Sequence, residues 1–180
     1  MLERRVILKD GSEVLLRRGV PQDLEMVWDM LSTLSEESLR FLPHPLVREE
    51  IEQMMTDINY EELLPVVAIV GEADDQRRIV AVATLSFHQG VSRRHRAEFD
   101  IVVHDDYQGR GLGTALTRYM VEIARERGLR KVHLKTSTEN LRAIHVYEKV
   151  GFTIEGRLVM EHFHHLRKEY GDDYRMTILL

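Results

Sequence analysis

The sequence predicts an α/β fold in which antiparallel strands come first and a strand–loop–helix–strand unit follows. Three observations lead there. The runs Pro65 to Val70 and Ile79 to Phe87 are rich in β-branched residues and flank the polar loop GEADDQRR, as neighbouring strands of a hairpin do. The stretch AEFDIVV alternates, so Ala97, Phe99, Ile101 and Val103 share one face and Glu98, Asp100 and Val102 the other. After it, YQGRGLGTAL runs straight into apolar residues at helical spacing.

The remaining elements follow in chain order. Glu13 to Arg18 reads as a short opening strand. Pro21-Gln22-Asp23 then starts a helix, with Leu24, Val27, Trp28, Leu31 and Leu34 at helical spacing. A second helical stretch covers Arg48 to Ile58, after the break Pro43-His44-Pro45. Beyond the glycines, Leu112, Ala115, Leu116, Tyr119, Met120 and Ile123 form one apolar helix face, and Gly128 is placed to end it. Lys131 to Thr136 is the next strand, and a helix from about Asn140 to Val150 stops at Gly151. Phe152 to Met160 and Tyr174 to Leu180 are the final strands, joined by a charged, histidine-containing segment.

With 180 residues and no repeat or Pro/Ser-rich linker, residues 1–180 are expected to form a single domain. A hydrophobic fraction of 43% and a charged fraction of 31% describe an ordinary soluble globular chain. The formal net charge of −5 offers no basic field for nucleic acid or acidic lipid, and no apolar run is long enough to span a membrane. The start, MLERRVILKDG, lacks the apolar stretch of a signal peptide. There is no cysteine, which excludes disulfides, thiolate metal sites and a cysteine nucleophile, and fits a cytoplasmic protein. His162, His164 and His165 lack the H-E-x-x-H spacing of a metal helix and read as a solvated segment, so no metal is expected.

The glycine loop carries the chemistry. Gly109, Gly111 and Gly113 give G-x-G-x-G rather than the G-x-G-x-x-G of a dinucleotide fold, and no clear acidic partner lies at the end of the following strand. No lysine follows Gly113, which argues against a triphosphate-binding P-loop. A tight helix start with no ligand is the plain alternative. Exposed N–H groups at a helix start, with the helix dipole behind them and Arg110 alongside, instead suit an anion, best a diphosphate on a cofactor.

At this point the sequence resembles a family. Q-G-R-G-L-G, Gln108 to Gly113, matches the Q/R-x-x-G-x-G/A signature of the GNAT N-acetyltransferases. NLRAIHVYEKVGF, Asn140 to Phe152, is similar to the family's N-x-x-A-x-x-x-Y-x-x-x-G-F element, and the order of elements fits from Glu13 to Leu180. The resemblance implies a central mixed, mostly antiparallel sheet flanked by helices, with acetyl-coenzyme A held at a splayed strand and the loop–helix junction. It implies that Gln108, Gly109, Arg110, Gly111, Leu112, Gly113 and Thr114 bind the pyrophosphate. Ile101, Val102 and Val103 would pair with the pantetheine arm, and Asn140 would contact it. Tyr147 would protonate the leaving thiolate.

Acetyl transfer to an amine requires a neutral amine, a polarised thioester and a proton for the thiolate. An alkylamine has a pKa of roughly 10.4, so a base must take a proton near neutrality. Counting back along the strand favours Glu98 as that base, with Asp100 on the same face as its rival. A carboxylate merely paired with Arg93, Arg94 or Arg96 is the structural alternative. Without cysteine, direct attack in a ternary complex is the natural route.

LSEESLRFLP, Leu34 to Pro43, resembles a stretch of the acetyltransferase domains of protein lysine acetylases, and tilts the expected acceptor towards a protein lysine or N-terminal amine. A small-molecule amine, another acyl group, or a non-catalytic acetyl-coenzyme A sensor are the alternatives. Ser92 to Arg96, SRRHR, reads as a solvated turn, or as a guide for an acidic substrate or the cofactor's 3′-phosphate. The C-terminal strands are candidates to complete the sheet of a homodimer.

Overall fold

A computed structural model describes residues 3–42, 45–71, 73, 76–164 and 167–180. Its strands are β1 (Glu3–Ile7), β2 (Glu13–Arg18), β3 (Leu63–Val70), β4 (Arg78–Phe87), β5 (Arg96–Val103), β6 (Lys131–Ser137), β7 (Thr153–His164) and β8 (Glu169–Leu179). They form one 8-stranded sheet in the order β1-β2-β3-β4-β5-β6-β8-β7. The helices are α1 (Leu24–Ser32), α2 (Glu36–Leu39), α3 (Arg48–Thr56), α4 (Leu112–Glu126) and α5 (Leu141–Val150).

Each face of the sheet carries its own core. On one, α4 and α5 bury Leu112, Leu116, Met120, Ile144 and Tyr147 against Ala81, Ala83, Ala97, Phe99, Leu134 and Met176. On the other, α1 contributes Val27, Met30 and Leu31 and α3 contributes Met55, packed on Val67, Ile69 and Val82. The alternation read in AEFDIVV is the one found. Ala97, Phe99, Ile101 and Val103 belong to the α4 face and Val102 to the α1 face.

The junction of β5 and β6 makes the site. It is the sheet's parallel pair, and it lasts for three steps, Arg96↔Lys131, Ala97↔Val132 and Glu98↔His133. Beyond them β6 pairs with β8 through Ser137↔Asp173, while β5 stays with β4 through Val103↔Ala81. The strands therefore part after Glu98, leaving the edge of Phe99 to Val103 on that side without a strand partner along a V-shaped gap.

The fold departs from the sequence expectations in four places. β1 is an additional strand; its residues ERRVI are mostly charged and exposed, so it shows no apolar alternation. It holds as an edge through pairing with β2 and through Arg4, which meets Glu122 at 2.6 Å and lies over the Tyr119 ring at 4.7 Å. A short α2 follows α1, capped by Ser35, whose hydroxyl accepts from Ser38 N at 3.2 Å. Helix α3 ends at Thr56, not Ile58. The segment between the last two strands is mostly strand itself, so β7 and β8 form a long hairpin, paired from Thr153↔Thr177 to His164↔Glu169. Pro43 and His44 of the expected break, His165, and Glu72, Asp74 and Asp75 of the β3–β4 loop lie outside the described residues.

Candidate active site

The glycine loop sits at the end of β5, where a one-turn helix at Asp105–Tyr107 leads into Gln108 and α4. Gly109 has φ 74° and Gly111 φ 96°, left-handed conformations that a side chain strains. Among the described residues, the N–H groups of Gly109, Arg110 and Gly111 meet no acceptor, and no side chain caps α4. Free donors at the mouth of a four-turn helix, with glycine allowing close approach, suit the diphosphate of coenzyme A. Leu112 is fully buried in the core, so of that residue only the backbone is available to a ligand.

Two expected loop contacts are already engaged within the protein. Gln108 Nε2 donates to Val103 O and to Ser38 Oγ, both at 3.0 Å, and its Oε1 accepts from Arg142. The guanidinium of Arg110 donates to Asp10 Oδ2 at 2.7 Å and lies over the Tyr107 ring at 5.0 Å. Gln108 therefore spans the mouth of the gap and holds Val103's carbonyl, while Arg110 ties the loop to the β1–β2 turn. Gly113 and Thr114 lie in the first turn of α4, half-buried, and Ile101 and Val102 border the gap.

Asn140 caps α5, its Oδ1 accepting from Ala143 N at 3.2 Å. That is the standard use of asparagine before a helix, and the side-chain amide nitrogen remains for a ligand. Two turns on, Tyr147 is buried between Phe99 and Phe152, with ring centroids at 6.3 and 6.0 Å. Its hydroxyl has no hydrogen-bond partner among the described residues. Burial, with the negative charge of Asp100 adding to it, pushes the phenol well above its ordinary value. Tyr147 is thus both a core aromatic and a proton-bearing hydroxyl beside the gap.

Glu98 is half-buried in the last paired step of β5 and β6, beside His133. No ion pair with Arg93, Arg94 or Arg96 is formed among the described residues, so the purely structural alternative for this carboxylate is not what the fold uses. Asp100 is the first residue of that face beyond the fork. Solvent reaches it through the gap, yet flanking protein strips part of its hydration. That desolvation and the neighbouring Glu98 push its carboxyl up to about 6, against the pull of Lys135. On this face β6 and β8 stay polar: Lys135 meets Glu161 at 2.9 Å, and His162 meets Asp173 at 2.8 Å. His162 is thus engaged with a carboxylate, and no group of three or more His, Cys, Asp or Glu side chains that could hold a metal ion occurs among the described residues.

Two groups of residues were not singled out from the sequence. His88 and His133 stack at 5.9 Å beside Glu98, each with a buried ring nitrogen lacking a partner among the described residues. Asp105 accepts from Ser35 N at 2.8 Å, Ser35 Oγ at 2.8 Å and Ser38 Oγ at 2.6 Å. The serines come from LSEES, so that motif acts locally and fastens α2 to the turn before the glycine loop. The run Ser92 to Arg96 lies at the opposite end of β5 from the loop. Eight residues at about 3.3 Å each put it ~25 Å away, too far to serve the same phosphates.

Comparison with known proteins agrees with this geometry. Spermidine N(1)-acetyltransferase of Escherichia coli K12 is 38% identical over 84 residues, 46% of this chain and 44% of that protein, so the match spans less than half of that relative's length. The GNAT domain of S. lividans PAT superposes with a TM-score of 0.79 at 22% identity, over 99% of this chain and 97% of that one. Spermidine N-acetyltransferase from Vibrio cholerae, solved in complex with CoA and spermine, gives 0.75 at 24% identity, over 92% and 95%. At these identities the two structures speak for the fold. Residues 28–152 match the acetyltransferase (GNAT) family, a stretch holding both the glycine loop and the Asn140–Phe152 element, and the chain belongs to that family.

Proposed function

We propose that this protein is an acetyl-coenzyme A-dependent N-acetyltransferase whose acceptor is a small cationic amine of the polyamine class. The observation that carries the reading is the pair Glu98 and Asp100 at the fork of β5 and β6. It supplies two adjacent carboxylates, one raised to about 6, at the place where the thioester would lie. A carboxylate desolvated beside another carboxylate is relieved by an ammonium group, and an alkylammonium with a pKa of roughly 10.4 supplies one. Names among the relatives point the same way, since two are spermidine acetyltransferases. The expectation of a protein acceptor rested on LSEES, whose serines are committed to Asp105.

In this reading the loop N–H groups hold the diphosphate and the pantetheine arm lies along the free edge of β5. Asp100 takes the proton: ionised at neutral pH and closest to the gap, it is better placed than Glu98, which shapes its pKa. The neutral amine attacks the thioester carbon. As the C–S bond breaks, the thiolate takes the proton of Tyr147, whose raised pKa keeps it protonated until then. The surplus N–H proton of the tetrahedral species passes to the phenolate, leaving a neutral amide, a thiol and a neutral tyrosine.

The test is thiol release from acetyl-coenzyme A with spermidine, a short diamine, free amino acids and lysine peptides. The expected result is fastest turnover on the polyamines. Turnover confined to peptides would overturn the acceptor class. Coenzyme A binding by calorimetry with no turnover on any amine would make the protein a sensor instead.

A further inference from the structure

The β1–β2 turn reaches across to the glycine loop. Lys9 N donates to Arg110 O at 3.0 Å, and the Lys9 side chain runs along Gly111. A Cβ built on Gly111 would meet Lys9 Cγ at 3.7 Å and Cε at 3.8 Å. The turn is itself fixed, by Leu8 N to Ser12 O at 2.9 Å, Gly11 N to Leu8 O at 3.0 Å and Ser12 N to Asp10 Oδ1 at 3.0 Å. Arg110 Nη1 donates to Asp10 Oδ2 at 2.7 Å. The ammonium of Lys9 has no partner among the described residues. So the loop's own cation already has a carboxylate beside it, and a cation from a different element with no partner among the described residues lies against the glycine at the helix start.

We propose that Lys9 is a coenzyme A-binding residue, its ammonium pairing with a phosphate of the cofactor beside the α4 N-terminus. The assignment rests on the acetyl-coenzyme A reading above. It gives the N-terminal hairpin a part in the donor site. Helix α4 provides oriented N–H groups but no cation in its first turn. A phosphate cluster bound there carries several negative charges, and Lys9 is placed to meet them as a point charge on a flexible stem.

The experiment is calorimetric titration of the whole protein with coenzyme A and with 3′-dephospho-coenzyme A, at low and high salt. The proteins compared are wild type, Lys9→Met and Lys9→Arg. Methionine keeps the packing of the stem on Gly111 and removes the charge. The expected result is roughly three- to tenfold weaker binding by Lys9→Met, shrinking at high salt and restored by Lys9→Arg. A loss retained with the dephospho form assigns the charge to the diphosphate, and a loss that disappears assigns it to the 3′-phosphate. Binding by Lys9→Met within twofold of wild type overturns the assignment alone, as does a loss that neither salt nor arginine changes. A wild type that binds no coenzyme A overturns the donor reading, and this assignment with it. Thermal unfolding of the three proteins separates a lost charge from a lost fold.

Discussion

Replacing Asp100 by asparagine tests the electrostatics of the cleft and its chemistry together. The carboxyl is raised from 3.8 to about 6, so the folded protein holds this proton more tightly than the unfolded chain does. The ionised form is therefore disfavoured by folding. That penalty is full above about pH 6 and disappears as the pH falls below the unfolded value. Roughly two pK units at about 1.4 kcal/mol each set an upper bound near ~3 kcal/mol. Solvent reaches the side chain and screens it, so about 1 kcal/mol is the expected net effect. Asp100→Asn should raise the urea-unfolding free energy by that amount at about pH 7.5 and leave it nearly unchanged at about pH 3. In the same variant, turnover on the best amine should fall ~100-fold or more, and the acid limb of kcat/KM near pH 6 should vanish. No gain in stability at the higher pH, with the acid limb intact, would refute the reasoning. An acid limb removed by Glu98→Gln and not by Asp100→Asn would move the proton to Glu98.

Tyr147→Phe keeps the packing on Phe99 and Phe152 and should lower kcat by ~100-fold while coenzyme A affinity stays within about twofold; a loss confined to affinity would contradict a proton-donating role. Gly111→Ala places a Cβ at φ 96°, which should destabilise the fold by about 1–2 kcal/mol in urea melts and weaken coenzyme A binding. Asp105→Ala removes the acceptor of three hydrogen bonds from Ser35 and Ser38 and should cost about 2–3 kcal/mol. Partial burial raises the Asp105 carboxyl, but those bonds outweigh it and leave its pKa lowered. Its contribution is thus present above the unfolded value of roughly 3.9 and lost as the pH falls through the folded one, so Asp105→Ala and wild type should converge in strong acid.

The strands and helices that carry periodic apolar residues were legible in the sequence because their burial is what the period records. Phe99 and Ile101 alternate with Glu98 and Asp100, and the Leu112–Ile123 stripe is one face of α4. The glycine loop was legible because backbone geometry, not a neighbour, dictates Gly109 and Gly111. What stayed hidden depends on pairing across long sequence distances. β1 is charged and exposed, and Glu13 to Arg17 opposite it and Tyr119 beneath it make it a strand. The choice between Glu98 and Asp100 turns on where β5 leaves β6, and no local pattern marks that fork. That Asp10, a hundred residues earlier, lies beside Arg110 is likewise invisible in the local sequence.

The loop is built from three sides, and each side belongs to a different part of the chain. Ser35 and Ser38 hold Asp105, Ser38 passes the connection to Gln108, and Gln108 grips Val103 at the end of the strand that borders the gap. Arg142, in the first turn of α5, reaches the same glutamine, so the helix that presents Tyr147 is tied to the strand that presents Asp100. From the opposite flank the β1–β2 turn holds Arg110 through Lys9 N and Asp10. Acyl transfer needs acid, base and thioester positioned within fractions of an ångström, and loops seldom provide that alone. Here one glutamine links the carbonyl of Val103, the hydroxyl of Ser38 in α2, and Arg142 of the helix that carries Tyr147. Among the described residues the N–H groups of Gly109 and Gly111 meet no acceptor. The loop's conformation is therefore set before any ligand arrives, and binding energy from the diphosphate can go into placing the acetyl group rather than into ordering the backbone.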